Sequence, residues 1–247
     1  MKIAILQADA VLEQFQPKHG NYPLMIADLL RRAADRAGLA VEMENFAVFE
    51  DEYPVDVSDF DGYVISGSRK SVYDDEPWIS RLGEFVRLIH TRRIKLVGIC
   101  FGHQLIAEAL GGKTMGADVG WGVGIHDYDI KQPAWFMAPG TESFSLIVSH
   151  QDQVVDLPDG AVLLAGSSFC PNSLYTIEDH ILAMQGHPEF SREYSRDLIQ
   201  WREEILGPEK YAEGLASLEN ELSEQQVGDW IIRFLRGAKT YNPAFFT

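Results

Sequence analysis

The chain has 247 residues, 46% of them hydrophobic, which suits one large globular domain or a domain with an appendage. Acidic residues outnumber basic ones 37 to 21, and the net charge of −16 repels phosphate backbones and anionic lipid; this excludes nucleic acid and membrane as expected partners but leaves room for a small anion in a locally positive pocket. Two cysteines, Cys100 and Cys170, are too few for a disulfide framework, Met1–Leu6 is too short for a secretion signal, and no segment reaches the ~18 apolar residues of a membrane span, so a reducing cytoplasm is the expected compartment.

Lys2–Gln7 reads as a buried strand. Pro23–Ala37 has helical spacing, with Leu24, Ile26, Leu29, Leu30 and Ala33 on one side and Gly38 as a stop. Val41–Phe49 alternates loosely and predicts a second strand. Tyr63–Ile65 is a short strand that ends in Ser66-Gly67-Ser68. Trp78–His90 is amphipathic through Ile79, Leu82, Phe85, Val86 and Ile89; Lys95–Ile99 is the next strand, and Leu105–Leu110 the next helical run. Strand and helix alternating in this way predict an α/β fold with a mostly parallel central sheet flanked by helices.

The middle changes character. Gly-rich turns at Gly111, Gly112, Gly116, Gly120, Gly122 and Gly124 separate short β-like runs at Gly124–Ile130, Ser145–Val148, Ala161–Ala165 and Ile181–Met184. They predict a small antiparallel extension, or an edge of the same sheet. After Glu189 the pattern turns helical: Arg192–Leu206, stopped by Gly207-Pro208, then Glu209–Leu222 and Glu224–Arg236. The expected division is a catalytic unit over 1–190 and a helical extension over 191–247 packed on it. Apolar faces on these helices fit packing on the sheet, with a partner or dimer surface as the alternative. The aromatic Tyr241–Phe246 is expected to dock onto the body or onto another copy.

The chemistry concentrates at Gly98-Ile99-Cys100-Phe101-Gly102-His103-Gln104. A buried cysteine is ordinarily inert packing. Here glycines two places before and two after frame it at a strand-to-helix corner, which is the pattern of a nucleophile elbow. The thiol would sit at the positive end of a helix, an environment that favours a thiolate. Cys170, beside Pro171, has no such frame and reads as structural. A thiol nucleophile needs a base, and the base needs an orienting group. Of seven histidines, His187 stands at the end of the run Ile181–Gly186 and is followed by Pro188-Glu189. That places it where α/β active sites gather, with Glu189 able to fold back onto the imidazole. No Cys-x-x-Cys or His-Glu-x-x-His spacing is present, and His150 with Asp152 supplies no closed ligand set, so neither a metal nor another cofactor is expected.

Residues 98–104 together with Gln185-Gly186-His187-Pro188-Glu189-Phe190 resemble the class I glutamine amidotransferase domain, in particular free-standing proteins similar to the glutaminase half of GMP synthase. The resemblance covers about residues 40–190 and implies a flavodoxin-like three-layer sandwich. It makes Cys100, His187 and Glu189 the catalytic triad. The family's Gly-Gly-Pro oxyanion loop corresponds to Ser66-Gly67-Ser68-Arg69, with Ser68 for the second glycine and Arg69 for the proline. A backbone amide survives both changes, so Gly67 and Ser68, with the amide of Phe101, form the expected oxyanion hole. Gln104 matches a glutamine that contacts the substrate's head group, and Ser149–Val154, including Asp152 and Gln153, matches the segment that reads the same group.

The resemblance implies hydrolysis of glutamine through a γ-glutamyl thioester, giving glutamate and ammonia. A separate synthetase chain would then receive the ammonia as partner, because no Ser-Gly-Gly-x-Asp-Ser signature of a synthetase is present. The alternative is a γ-glutamyl peptidase acting on glutathione-like compounds by the same thioester. A pocket open beyond the γ-carbonyl favours the peptidase; a closed one favours glutamine. A homo-oligomer is compatible with either. A third reading, from a different class, is a binding or regulatory protein that keeps the scaffold without turnover, against which the intact triad argues.

Overall fold

The structure is a computed structural model that describes residues 1–237; the predicted docking of Tyr241–Phe246 lies outside them. Strands β1 (Lys2–Gln7), β2 (Glu42–Ala47), β3 (Gly62–Ile65) and β4 (Lys95–Ile99) alternate with helices α1 (Gln16–His19), α2 (Tyr22–Arg36), α3 (Pro77–Arg92) and α4 (Phe101–Ala109). Then come β5 (Lys113–Gly116), β6 (Gly122–Ile130), β7 (Ser143–His150), β8 (Asp152–Asp156), β9 (Ala161–Gly166), β10 (Leu174–Ile177) and β11 (Ile181–Met184), and finally α5 (Arg192–Trp201), α6 (Glu203–Ser217) and α7 (Glu224–Arg236).

One nine-stranded sheet runs in the order β2-β1-β3-β4-β11-β10-β9-β6-β7, and β5 pairs with β8 in a separate two-stranded sheet. The first five strands are parallel. From β10 onward the sheet continues antiparallel. The Gly-rich middle gives an antiparallel continuation that reaches the edge of the main sheet, with β5–β8 apart, but Ile181–Met184 corrects the expectation: β11 pairs parallel with β4 in the middle of the sheet.

Period-two alternation explains the layers. Ile3, Ile5, Val97, Ile99, Leu182 and Met184 face α2 and α7, where Leu29, Leu30, Trp230 and Phe234 cover them. Ala4, Leu6, Leu96, Ile181 and Ala183 face the other way, under Leu82 and Val86 of α3 and Leu105 and Ile106 of α4. Strands covered on both faces must be apolar throughout, which is why β1, β4 and β11 read as continuous hydrophobic runs. Each such aliphatic chain taken out of water contributes about 1.5–3 kcal/mol.

The helical tail departs in detail from its expectation. Arg192–Leu206 is not one helix: it breaks at Arg202, between α5 and α6. Gly207 does leave helical geometry, at φ 72° and ψ 167°, but the chain resumes its helix beyond Pro208. β5, β8 and β10, each five residues or fewer, carry too little alternation to be seen in the sequence. Among the described residues no helix is long and apolar enough to cross a membrane.

Candidate active site

The turn after β4 has the strained geometry of an elbow. Cys100 lies at φ 50° and ψ −100°, a conformation that costs a non-glycine residue about 1–3 kcal/mol. Two backbone bonds hold it: the Cys100 amide donates to the Met184 carbonyl at 2.8 Å, and the Gln104 amide to the Cys100 carbonyl at 3.0 Å. The flanking glycines are steric requirements. A Cβ on Gly98 would lie 2.6 Å from the Gly102 carbonyl, and one on Gly102 would lie 2.8 Å from Ile65. The thiol consequently sits at the N-terminus of α4, where the helix dipole is positive.

Neighbouring strands bring the distant histidine to it. β11 runs parallel to β4 with Met184 opposite Ile99, so the residues that follow β11 emerge beside Cys100. His187 is fixed by its amide, which donates to Ile147 at 2.8 Å, and by Phe190, whose ring stacks on it at 3.9 Å and 10°. Its Nδ1 meets Glu189 Oε1 at 2.8 Å. With the Nδ1 proton given to the carboxylate, Nε2 is the nitrogen left for the sulfur. Burial opposes a charged ring, but the Glu189 carboxylate and the Cys100 side chain outweigh it and raise the His187 pKa to about 10. Gly67 completes the corner: a Cβ there would lie 2.8 Å from His187 Cε1 and 3.7 Å from Cys100 Cβ.

Ser68 lines the cleft that holds Cys100, and Phe101, the first residue of α4, carries a first-turn amide with no acceptor inside its own helix. The loop around Ser68 has its own clamp. Arg69 Nε and Nη2 donate to the two Asp9 oxygens, each at 2.8 Å, and the Arg69 amide donates to Asp9 Oδ2 at 2.9 Å. A planar, two-point pair of this kind fixes a backbone as a proline otherwise would.

Gln104 and Asp152 also line the cleft, whereas Gln153 does not: its side chain turns away and donates to the Phe169 carbonyl at 2.9 Å. Gln104 Nε2 donates to the Asp152 carbonyl and to Gln185 Oε1. The Asp152 carboxylate accepts from Ser71 Oγ at 2.5 Å and Tyr73 at 2.9 Å. Among the described residues, the Glu178–Asp179–His180 cluster alone brings three acidic, histidine or cysteine ligand atoms together. It sits before β11, at the opposite end of the sheet, and Arg93 already engages both carboxylates. Burial pushes the Cys170 thiol up to about 12, which suits packing and not chemistry.

Three residues near the thiol were not singled out as site residues by sequence reasoning. Gln185 Nε2 approaches Cys100 Sγ at 3.5 Å; its place directly after β11, next to the motif histidine, was the available signal. Trp121 and Arg202 enter the cleft from a turn and from the α5–α6 break, where no spacing rule points inward.

The family model described as glutamine amidotransferase class-I matches residues 24–200. γ-Glutamyl peptidases 4 and 2 of Arabidopsis thaliana are 36% and 32% identical over 64% and 79% of this chain, and over 66% and 82% of their own lengths. The glutamine-hydrolyzing GMP synthase subunit of Methanosphaera stadtmanae is 36% identical over 46% of this chain and 61% of its own. A glutamine amidotransferase crystal structure from Thermotoga maritima superposes with a TM-score of 0.71 at 18% identity, covering 95% of this chain and 96% of that one; this likeness concerns the fold alone.

Proposed function

The chain belongs to the class I glutamine amidotransferase family, and from that premise we propose that it is a cysteine hydrolase of γ-glutamyl amide bonds. The observation that carries this reading is the Cys100–His187–Glu189 arrangement on the corner between β4 and α4. The Cys100 thiolate attacks the γ-carbonyl carbon, and the carbonyl oxygen becomes an oxyanion held by the amides of Ser68 and Phe101 beside Gly67. His187 Nε2 gives its proton to the departing nitrogen, the C–N bond breaks, and a γ-glutamyl thioester remains. Water then yields a proton to His187 and attacks the thioester; the C–S bond breaks and glutamate leaves. Glu189 holds the imidazole in the required tautomer and offsets its charge.

The substrate reading we favour is a γ-glutamyl peptide, with an amino acid or peptide as leaving group. The γ-glutamyl peptidases, 36% and 32% identical to this chain, favour it. Glutamine as substrate, with a partner synthetase chain taking up the ammonia, is the second reading. The likeness to a glutamine-hydrolyzing GMP synthase chain favours it. On either reading we take residues 1–190 as the catalytic unit and 191–247 as its extension, of which residues 191–237 are described, and the two free thiols suit a reducing compartment such as the cytoplasm. Assaying the protein on glutamine, glutathione and γ-glutamyl dipeptides, with ammonia and glutamate read separately, decides between them. Glutamate without ammonia supports the peptidase; ammonia from glutamine with silence on peptides overturns it.

A further inference from the structure

Gln185 stands between the end of β11 and the Gly186-His187 turn, and it is fully buried. Its backbone amide donates to the Ser173 carbonyl at 2.8 Å, and the carbonyl one residue earlier, that of Met184, anchors the elbow through the Cys100 amide. A primary amide taken out of water needs partners at both its oxygen and its nitrogen. Gln185 finds them in a chain of side-chain bonds. Gln104 Nε2 donates to the Asp152 carbonyl at 2.9 Å and to Gln185 Oε1 at 3.0 Å. Gln185 Nε2 donates in turn to Cys100 Sγ at 3.5 Å.

The polarity of this chain is fixed from its far end. A backbone carbonyl can only accept, so the nitrogen of Gln104 must face Asp152. Both protons of that nitrogen are then used, and the atom that meets the second must be the oxygen of Gln185. The nitrogen of Gln185 is left for the sulfur. A flipped Gln104 sets oxygen against oxygen at Asp152, and a flipped Gln185 sets nitrogen against nitrogen at Gln104. The donors therefore point towards Cys100, and a hydrogen bond to an anion is stronger than one to a neutral acceptor. Against burial, Glu189 and Cys100 raise the His187 pKa to about 10, so the ring keeps its proton near neutrality and the sulfur stands as the anion. Of the other titratable groups within electrostatic reach of the sulfur, Arg202 is positive. Burial keeps the rest neutral: it raises Tyr128 and Cys170 and lowers His103 to about 3.

We propose that Gln185 is a further catalytic residue, whose side-chain amide holds the Cys100 thiolate before attack and takes up the charge of the sulfur again when the C–S bond of the thioester breaks, with Gln104 as the positioning residue that sets its direction. The amide transfers no proton; it offers one hydrogen bond to the charged sulfur at each end of the cycle. This rests on the hydrolase reading above and deepens it.

The test follows alkylation of Cys100 by iodoacetamide against pH, read by the mass of its peptide, in wild type, Gln185→Met and Gln104→Met. Gln185→Met keeps the volume of the side chain and loses the donor. The midpoint of its curve is expected about one pH unit higher, the worth of a hydrogen bond to a charged group. Gln104→Met leaves the donor in place but frees it to flip, and the midpoint moves up by less. Cys170 is buried, so its labelling in the same spectrum gauges unfolding. Where Gln185→Met labels at Cys170, Gln185→Asn replaces it: the amide is withdrawn by one methylene, and the same upward shift is expected. The acid limb of kcat/KM for γ-glutamylglycine should move together with the alkylation curve. An unchanged midpoint in Gln185→Met, or a larger shift from Gln104→Met than from Gln185→Met, overturns the proposal and leaves the hydrolase reading standing. Alkylation needs no substrate, so the two failures are distinct. A wild type that alkylates at Cys100 but turns over neither glutamine nor γ-glutamylglycine removes the hydrolase reading, and the catalytic role of Gln185 with it.

Discussion

The Cys100 amide donates to the Met184 carbonyl at 2.8 Å, so the turn that carries the thiol is bonded to the strand that leads to His187. Nucleophile and base are held by one pair of parallel strands, β4 and β11, and their spacing is as stiff as the sheet. Substitutions at this junction should therefore separate chemistry from folding.

Cys100→Ala removes the sulfur and should abolish glutamate release from every γ-glutamyl substrate, a loss above about 1000-fold. Retained turnover in the purified variant refutes the assignment of the nucleophile.

Glu189→Gln keeps the shape of the pair and loses its charge. A loss of about 100- to 10,000-fold in kcat is expected, as for other orienting carboxylates. The His187 pKa is raised from 6.5 to about 10, against its burial, with Glu189 a main cause. A raised pKa stabilises the fold fully below about 6.5, and the contribution fades as pH rises through about 10. The melting-temperature gap between wild type and Glu189→Gln should accordingly be wide near neutrality and narrow towards pH 10. A gap that widens with pH contradicts this electrostatic account.

Gly98→Ala drives a methyl into the Gly102 carbonyl, 2.6 Å away. Overpacking against backbone costs about 1–3 kcal/mol, and the displaced corner misplaces the thiol. A lower urea midpoint together with a lower kcat is expected. A fully active and fully stable variant shows that the corner tolerates what the geometry forbids.

Asp9→Ala frees Arg69 and the Ser68 loop. Asp9 does not itself line the cleft, so kcat should fall about tenfold or more through loss of oxyanion positioning, with KM changing less. A pure KM effect assigns the loop to substrate binding instead.

Gln185→Met keeps the volume of a fully buried side chain but removes the donor 3.5 Å from Cys100 Sγ and the acceptor for Gln104. A drop of roughly tenfold in kcat/KM, about one hydrogen bond, is expected with an unchanged fold. Wild-type kinetics would mean that Gln185 serves packing alone.

Much of the architecture was legible because it rests on local pattern. β1, β4 and β11 appear as apolar runs at their observed limits, and Gly98, Cys100 and Gly102 announce the elbow by spacing alone. The antiparallel half was harder. β8 and β10 are short, and β8 holds its place through β5, distant in the chain; the polar stretch at Ser149–Asp152 reads as a strand exit, which is where β7 ends, but does not announce that β8 begins at once. In the site, Ser68, Gln104 and Asp152 reach the cleft and Gly67 lies against His187 and Cys100, while Gln153 turns to Phe169, because successive side chains on β8 point to opposite faces. Arg202 left no signal, since it reaches the cleft from the break between α5 and α6, where no spacing rule points inward.

β11 lies between β4 and β10, yet it is the last strand among the described residues. During synthesis β4 emerges from the ribosome with an open edge and waits for a neighbour made much later. Until that strand slots in, the elbow lacks its anchor and the sulfur lacks its imidazole. A polypeptide that ends before β11 therefore has neither the anchor of the elbow nor the base for its thiol.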